Sequence, residues 1–131
     1  MKIHIESRDE LRIVNLSEVL YLQASHNYTD FMFADGRSKS ELMSISSLET
    51  QIAEAAVKQG VVNPFVRLGR SLLVNTSFVE LVSIKLKLIS FRGNPPVTLS
   101  ASKNMLTMLK KHLSQLLGGV FEERLRSSIH G

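Results

Sequence analysis

Two arginines in the middle of the chain, Arg67 and Arg70, are the side chains whose type and position most clearly suggest binding chemistry. Arg67 stands near the end of one largely apolar segment, residues 65–68, and Arg70 lies in the short loop before another, residues 72–74. Apolar runs bounded by Pro, Asn and Gly are typical of buried strands. Burying an unpaired guanidinium costs a large desolvation energy, so we expect both arginines to face solvent or an anionic group.

The charge is distributed unevenly around these arginines. Residues 1–57 carry five Lys/Arg against nine Asp/Glu, a net charge of −4, whereas residues 58–112 carry nine Lys/Arg against the single Glu80, a net charge of +8. Such a basic stretch favours a polyanionic partner, and nucleic acid is the obvious candidate. From composition alone, a solvated basic face without a partner is an equally good interpretation.

The residues for several other chemistries are missing or scattered. There is no cysteine, so the sequence excludes disulfides and thiolate metal sites, and the four histidines show no pair at metal-ligand spacing. No Gly-x-Ser-x-Gly elbow and no glycine-rich phosphate loop occurs. The sequence therefore predicts no enzyme, no metal site and no cofactor.

The chain has 131 residues, the length of one domain, with no internal repeat and no long linker. No apolar run reaches membrane-spanning length, and the first residues lack the apolar core of a signal peptide. We therefore expect a cytoplasmic domain over residues 1–117, followed by a separate tail over 118–131 that forms at most a short helix.

Alternation and turn residues predict a mainly β fold of antiparallel sheets with a few helices, an α+β class. The alternating residues Ile3, Ile5, Leu11 and Ile13 indicate an opening hairpin. Further strands are expected at the apolar or alternating segments, which are residues 19–24, 29–34, 37–40, 65–68, 72–74, 78–84, 86–91 and 97–99.

Two helices are expected among these strands. The first lies near 46–57, where Ser46 and Glu49 have capping-box spacing and Gly60 can end the helix. The second lies near 101–116, with Ser100 or Ser102 as N-cap, and would end at the glycine pair at 118–119.

Several short sequence motifs, in the order in which they occur along the chain, resemble those of the LytTR-type DNA-binding domain of bacterial response regulators. They are residues 16–23 (Leu-Ser-Glu-Val-Leu-Tyr-Leu-Gln), Asn27-Tyr28, Leu48-Glu49, Phe65-Val-Arg-Leu-Gly-Arg-Ser71 with Val74-Asn75, and Pro96-Val97. The resemblance covers roughly residues 3–113. It implies an elongated, mostly antiparallel β domain that reads double-stranded DNA with loops at one edge.

The resemblance also implies which residues would contact DNA. The base-contact candidates are Asn27, Tyr28, Thr29 and Arg70, because an amide can bridge adenine and a guanidinium can bridge guanine O6 and N7. The phosphate-contact candidates, which position the domain, are His26, Arg67, Ser71, Lys85, Ser102, Lys103 and Asn104. The sequence departs from the family at Gly69, where a histidine is frequent, and at Ala101, where an arginine is frequent.

The implied function is sequence-specific binding of promoter DNA, at repeated sites, by a transcriptional regulator of a two-component system. A receiver domain or sensor kinase would act upstream, and two copies could pair on DNA. The chain would be either the output domain of a longer regulator or a regulator that acts alone.

Three alternatives remain open from the residues. The acidic and basic halves could pair between copies, which would make the chain a protein-interaction or oligomerisation module. Tyr21, Phe31 and Phe33 could stack on single-stranded nucleic acid, although core packing explains them better. Arg70 could pair with Glu80 or Asp30 and stabilise the fold.

Overall fold

The structure is a computed structural model that describes the backbone of residues 1–130 and the side chains of residues 1–118. Its two helices are α1 (Ile45–Gln59) and α2 (Lys103–His130), and two short 3-10 turns cover Leu16–Glu18 and Thr76–Phe78. The ten strands are β1 (Lys2–Glu6), β2 (Leu11–Asn15), β3 (Val19–Ser25), β4 (Tyr28–Phe33), β5 (Ser38–Glu41), β6 (Phe65–Leu68), β7 (Leu72–Asn75), β8 (Val79–Ser83), β9 (Leu88–Phe91) and β10 (Val97–Ser100). The predicted mainly β class with a helix in the middle and a C-terminal helix is confirmed.

The strands form three antiparallel sheets. A five-stranded sheet has the order β5-β4-β3-β7-β6, a three-stranded sheet has the order β10-β9-β8, and β1 pairs only with β2. At the centre, Leu22 pairs with Phe31 on one side and with Leu73 on the other. Short turns join most neighbouring strands, as the alternation and the turn residues predict.

The central strands β3 and β7 of the five-stranded sheet are buried on both faces, which divides the core in two. One core contains Val19, Leu22 and Leu73 with residues of β1 and α1, and the other contains Leu20, Leu72 and residues of β9 and α2. Strands covered on both faces read as continuous apolar runs, which explains the unbroken hydrophobicity of β3 and β7. The sheet is thus the middle layer between the β1–β2 hairpin with α1 and the three-stranded sheet with α2.

Helix α1 begins one residue before the predicted start, and its cap differs from the predicted one. The N-cap is Ser44, whose Oγ accepts a hydrogen bond from the main-chain nitrogen of Ser47 at 3.1 Å. Ile45 is 5% exposed and packs in the core as the first helical residue, so Ser46 falls inside the helix instead of capping it. Gly60 ends α1 in the left-handed conformation, as predicted.

Helix α2 begins two residues after the predicted start and extends further than predicted. Ser102 is its cap, because the Ser102 Oγ accepts a hydrogen bond from the nitrogen of Met105 at 3.2 Å. The helix continues to His130 through Gly118, without the predicted end at the glycine pair. Most of the predicted tail, from 119 onward, lies outside the residues whose side chains are described, so its separation from the domain stays a prediction.

Candidate nucleic-acid interface

The turns that follow β3 and β6 lie at the same edge of the five-stranded sheet. Gln23 near the end of β3 pairs with Leu72 at the start of β7, and the main-chain nitrogen of Ala24 donates to the carbonyl oxygen of Ser71 at 2.8 Å. The turn at residues 26–27 therefore stands beside the turn at residues 69–71. These two turns carry Asn27 and Arg70, two of the base-contact candidates that the resemblance implied.

A third turn, residues 84–87, lies at the corresponding edge of the three-stranded sheet. Leu88 at the start of β9 pairs with Ser100 at the end of β10 and with Ser83 at the end of β8. The main-chain nitrogen of Ala101 donates to the carbonyl oxygen of Lys87 at 3.2 Å. The turn at residues 84–87 therefore lies against the start of α2.

Gly69 brings the edges of these two sheets together. It has a φ of +64°, a conformation that side chains rarely adopt, and a Cβ on it would lie 2.8 Å from the Met105 Cε in the first turn of α2. The Met105 Cε is the end of a flexible side chain and can move, so it is the positive φ that favours glycine at this position of the β6–β7 turn, which lies close to the helix. We call the combined surface the loop edge: residues 26–28, 69–71, 84–87 and 101–104.

The loop edge is polar and basic. Its sequence contains no aspartate or glutamate. Most of its polar side chains are exposed, and they are His26, Asn27, Tyr28, Arg70, Lys85, Lys87, Ser102, Lys103 and Asn104, while Ser71 is half-buried. A surface with several cations and no carboxylate can approach phosphate groups without repulsion.

Arg70 projects from the middle of the loop edge. Its side chain is exposed, and among the side chains described it forms no ion pair and donates no hydrogen bond. Of the two carboxylates considered as partners, that of Asp30 accepts a hydrogen bond from the Ser40 hydroxyl. The five donors of the Arg70 guanidinium are therefore available to a ligand.

The guanidinium of Arg67 is hydrogen-bonded to groups of the domain itself, including two carbonyl groups of the β6–β7 turn. The Nε donates to the carbonyl oxygen of Gly69 at 3.0 Å and the Nη2 to that of Arg70 at 2.7 Å. The Nη1 donates to the Oε1 of Glu49 on α1 at 2.9 Å, and only 22% of the Arg67 side chain is exposed. The phosphate contact predicted for Arg67 is untested, and these contacts give the residue a role inside the domain.

Thr29 does not reach the loop edge. It is fully buried, and its Oγ1 donates to the carbonyl oxygen of Met43 at 2.8 Å, which ties β4 to the segment before α1. A residue without exposed surface cannot meet a base edge, so the base contact predicted for Thr29 does not fit the structure. The alternation of strand residues indicates the burial of Thr29, because Thr29 lies two residues before the buried Phe31 and so on the same face of β4.

The start of α2 adds a second feature that favours anions. Ser102 caps the helix, and Lys103 and Asn104 occupy its first exposed positions. The first main-chain N–H groups of a helix lack intrahelical acceptors and carry the positive end of the helix dipole. This end of α2 is therefore suited to a phosphate oxygen, together with the lysine beside it.

Sequence reasoning did not single out Lys87 as a site residue. The structure has it exposed in the 84–87 turn with a φ of +56°, and its carbonyl oxygen meets the nitrogen of Ala101. The alternation of Lys85, Leu86 and Lys87 indicates that both lysines face solvent. Only the structure, however, shows that this turn adjoins the start of α2.

The stacking alternative fails for two of its three aromatic residues. Tyr21 is 7% exposed and Phe31 is 1% exposed, so neither offers a ring face to a base. The Tyr21 ring packs 5.4 Å from that of Phe91, between centroids, and burial raises the pKa of its hydroxyl, with the Asp30 charge adding to the effect. Tyr21 and Phe31 therefore belong to the core, which agrees with the core-packing interpretation of these two residues.

The opposite edge of the five-stranded sheet has a different character. There Arg37 pairs with Asp35 at 2.6 Å, and the pKa of the Asp35 carboxyl is lowered mainly by the hydrogen bond from the Arg37 main-chain nitrogen. Over the described residues, no group of three or more His, Asp or Glu side chains is arranged to hold a metal ion. Neither helix, over the same residues, combines the length and the apolar character needed to cross a membrane.

The fold and this edge define a class of protein: a β-rich domain whose turns and helix start gather basic and polar side chains at one edge. Comparison with known families gives the class its name, because residues 9–114 match the model of the LytTr DNA-binding domain. The chain belongs to the LytTr DNA-binding domain family, and the resemblance noted in the sequence is confirmed.

A solved structure supports the same fold. The LytTr DNA-binding domain of a protein described as a methyl-accepting/DNA response regulator, from Bacillus cereus, superposes with a TM-score of 0.57 at 17% identity. The match covers 86% of the present chain and 95% of that domain. No curated protein matches the chain in sequence.

Proposed function

We propose that this domain binds specific sequences of double-stranded DNA through the loop edge and so regulates transcription. Membership of a DNA-binding family supports DNA binding. The observation that carries the specific proposal is the meeting of the 26–27, 69–71 and 84–87 turns with the start of α2 on one surface without carboxylates.

In this proposal the centre of the loop edge reads bases. Arg70 and Asn27 have exposed groups that can form paired hydrogen bonds with guanine and adenine in the major groove, and Tyr28, which is 48% exposed, lies beside Asn27. Base reading needs side chains that project beyond the phosphates, and turns at a sheet edge present such side chains without a recognition helix.

The flanks of the loop edge hold the phosphates. The residues that we assign to phosphate and sugar contact are His26, Ser71, Lys85, Lys87, Ser102, Lys103 and Asn104. They stand on both sides of Arg70, which would fix the register of the domain on the duplex.

The wider setting of the domain belongs to the same proposal. The similar domain from Bacillus cereus belongs to a protein described as a response regulator, which favours a two-component system for this chain as well. We therefore propose a cytoplasmic, non-catalytic output domain controlled by a receiver domain or sensor kinase, with two copies binding repeated promoter sites.

Fluorescence anisotropy with three labelled DNAs tests the proposal. The DNAs are a duplex selected from a randomised library by binding to this domain, a random duplex of equal length, and a single strand. We expect the selected duplex to bind about 1,000-fold or more tightly than the random duplex, and both to weaken steeply with salt. Equal binding of all three DNAs would refute sequence-specific duplex recognition, and no binding would favour the protein-interaction alternative.

A further inference from the structure

The guanidinium of Arg67 is saturated by contacts inside the domain. Three of its nitrogens donate to three different acceptors: the carbonyl oxygens of Gly69 and Arg70, and the carboxylate of Glu49. The Ser46 Oγ is a fourth acceptor, at 3.5 Å from each of the two terminal nitrogens. An arginine has five N–H donors, so these contacts leave little capacity for a phosphate.

The contacts of Arg67 fix the turn that carries Arg70. Two successive carbonyl groups of the β6–β7 turn point at one planar guanidinium, and the rigid fork of that group holds both at set positions. Glu49 on α1 holds the guanidinium in turn at 2.9 Å. The position of the turn therefore depends on a residue of α1 that lies 18 positions before Arg67 in the sequence.

We propose that Arg67 is a positioning residue for DNA recognition, which fixes the Arg70 turn, and that Glu49 fixes Arg67. This inference rests on the proposed function of the loop edge. A turn that is already ordered loses less conformational entropy when Arg70 meets a base, so the arrangement favours the cognate site. It also directs two carbonyl dipoles toward a cation and away from approaching phosphates.

The proposal and a direct phosphate contact predict opposite effects of removing the carboxylate. If Arg67 bound phosphate, Glu49 would compete with the DNA, and its removal would strengthen binding to every duplex. If Arg67 fixes the turn, removal of Glu49 loosens the guanidinium, and the advantage of the selected duplex over the random duplex declines.

Three variants of the whole chain separate these mechanisms by the ratio of affinities for the selected and the random duplex. We expect Glu49→Ala and Arg67→Lys each to lower this ratio about tenfold, because alanine removes the acceptor and lysine keeps the charge but lacks the fork. Glu49→Gln keeps an acceptor for the Arg67 Nη1 and should retain most of the ratio. The slope of log affinity against log salt should stay unchanged in Arg67→Lys, because lysine keeps the positive charge, so the ratio of affinities is the measurement that decides.

Glu54→Ala is the matched control, since it removes the same charge from an exposed position on the same helix. It should leave the ratio unchanged, and thermal unfolding followed by circular dichroism should show that every variant is folded. An unchanged ratio in Glu49→Ala or Arg67→Lys, or tighter binding of Glu49→Ala to both duplexes, would overturn the positioning role. Failure of the unaltered domain to prefer the selected duplex would instead overturn the proposed function.

Discussion

Replacing Arg70 by alanine should weaken binding to the cognate duplex without weakening the fold. The side chain is exposed and has no intramolecular partner among the described residues, so its removal leaves no buried group unsatisfied. A surface substitution of this kind changes the free energy of unfolding by less than about 0.5 kcal/mol.

The size of the binding effect follows from the same environment. A guanidinium that bridges guanine O6 and N7 contributes about 1–3 kcal/mol to discrimination, which corresponds to roughly five- to 150-fold in affinity. Arg70 breaks no internal hydrogen bond when it binds, and Arg67 already holds the carbonyl oxygen of Arg70 at 2.7 Å. Only the side chain must therefore be ordered on binding, so we expect a loss within this range on the selected duplex.

The assay compares the affinities for the selected and the random duplex, and Arg37→Ala is the matched control. Arg37 has the same side chain and charge but lies at the opposite edge of the sheet, where it pairs with Asp35. Arg37→Ala should change neither affinity appreciably. An equal loss of Arg70→Ala on both duplexes would make Arg70 a phosphate contact, and no loss at all would refute its role in the interface.

Five further substitutions, in three tests, probe other parts of the structure. Asn75→Ala should lower the free energy of unfolding by about 2–3 kcal/mol in urea titration. The reason is that Asn75, which is 2% exposed, donates a hydrogen bond to the buried carbonyl oxygen of Val19 at 2.9 Å and caps a 3-10 turn. A loss below about 0.5 kcal/mol, typical of a surface site, would contradict this. Gly69→Ala and Gly60→Ala should lower the free energy of unfolding by similar amounts in the same titration, since both have a φ near +65° and the Met105 Cε near Gly69 can move aside; a clearly larger loss for Gly69→Ala would show that Met105 is held in place. Lys85→Gln and Lys87→Gln should each weaken binding to selected and random duplexes equally and reduce the salt slope by about 0.9, whereas a loss confined to the selected duplex would indicate base contact.

The elements of this domain could be predicted because their signals are local. Apolar runs, alternation and turn residues are read within a few positions, and they located the hairpins and both helices. The N-cap predicted for α1, Ser46, was wrong. Ser44 and Ser46 are both good N-cap residues, and only the burial of Ile45 favours Ser44. Local patterns thus predict an element better than they predict its first residue.

The candidate site was predictable only in part, because side-chain direction depends on what covers each face. The sequence pointed to the exposed residues Asn27 and Arg70, but it also included Thr29, which the covering of β4 buries. Arg67 and Arg70 have the same charge and lie three residues apart, one near the end of an apolar segment and the other in the loop after it. The carboxylate of Glu49 on another element distinguishes them.

By itself the sequence determined the basic character of its second half, the alternation of strands and turns, and the phrases that mark the family, since these depend on residue type and short spacing. The tertiary structure decided which turns meet. Strand pairing between Gln23 and Leu72 and the close approach of Gly69 to Met105 bring turns distant in sequence to one edge. The physical reason is that register and layer packing are set by contacts between residues far apart in the chain, which no local pattern encodes.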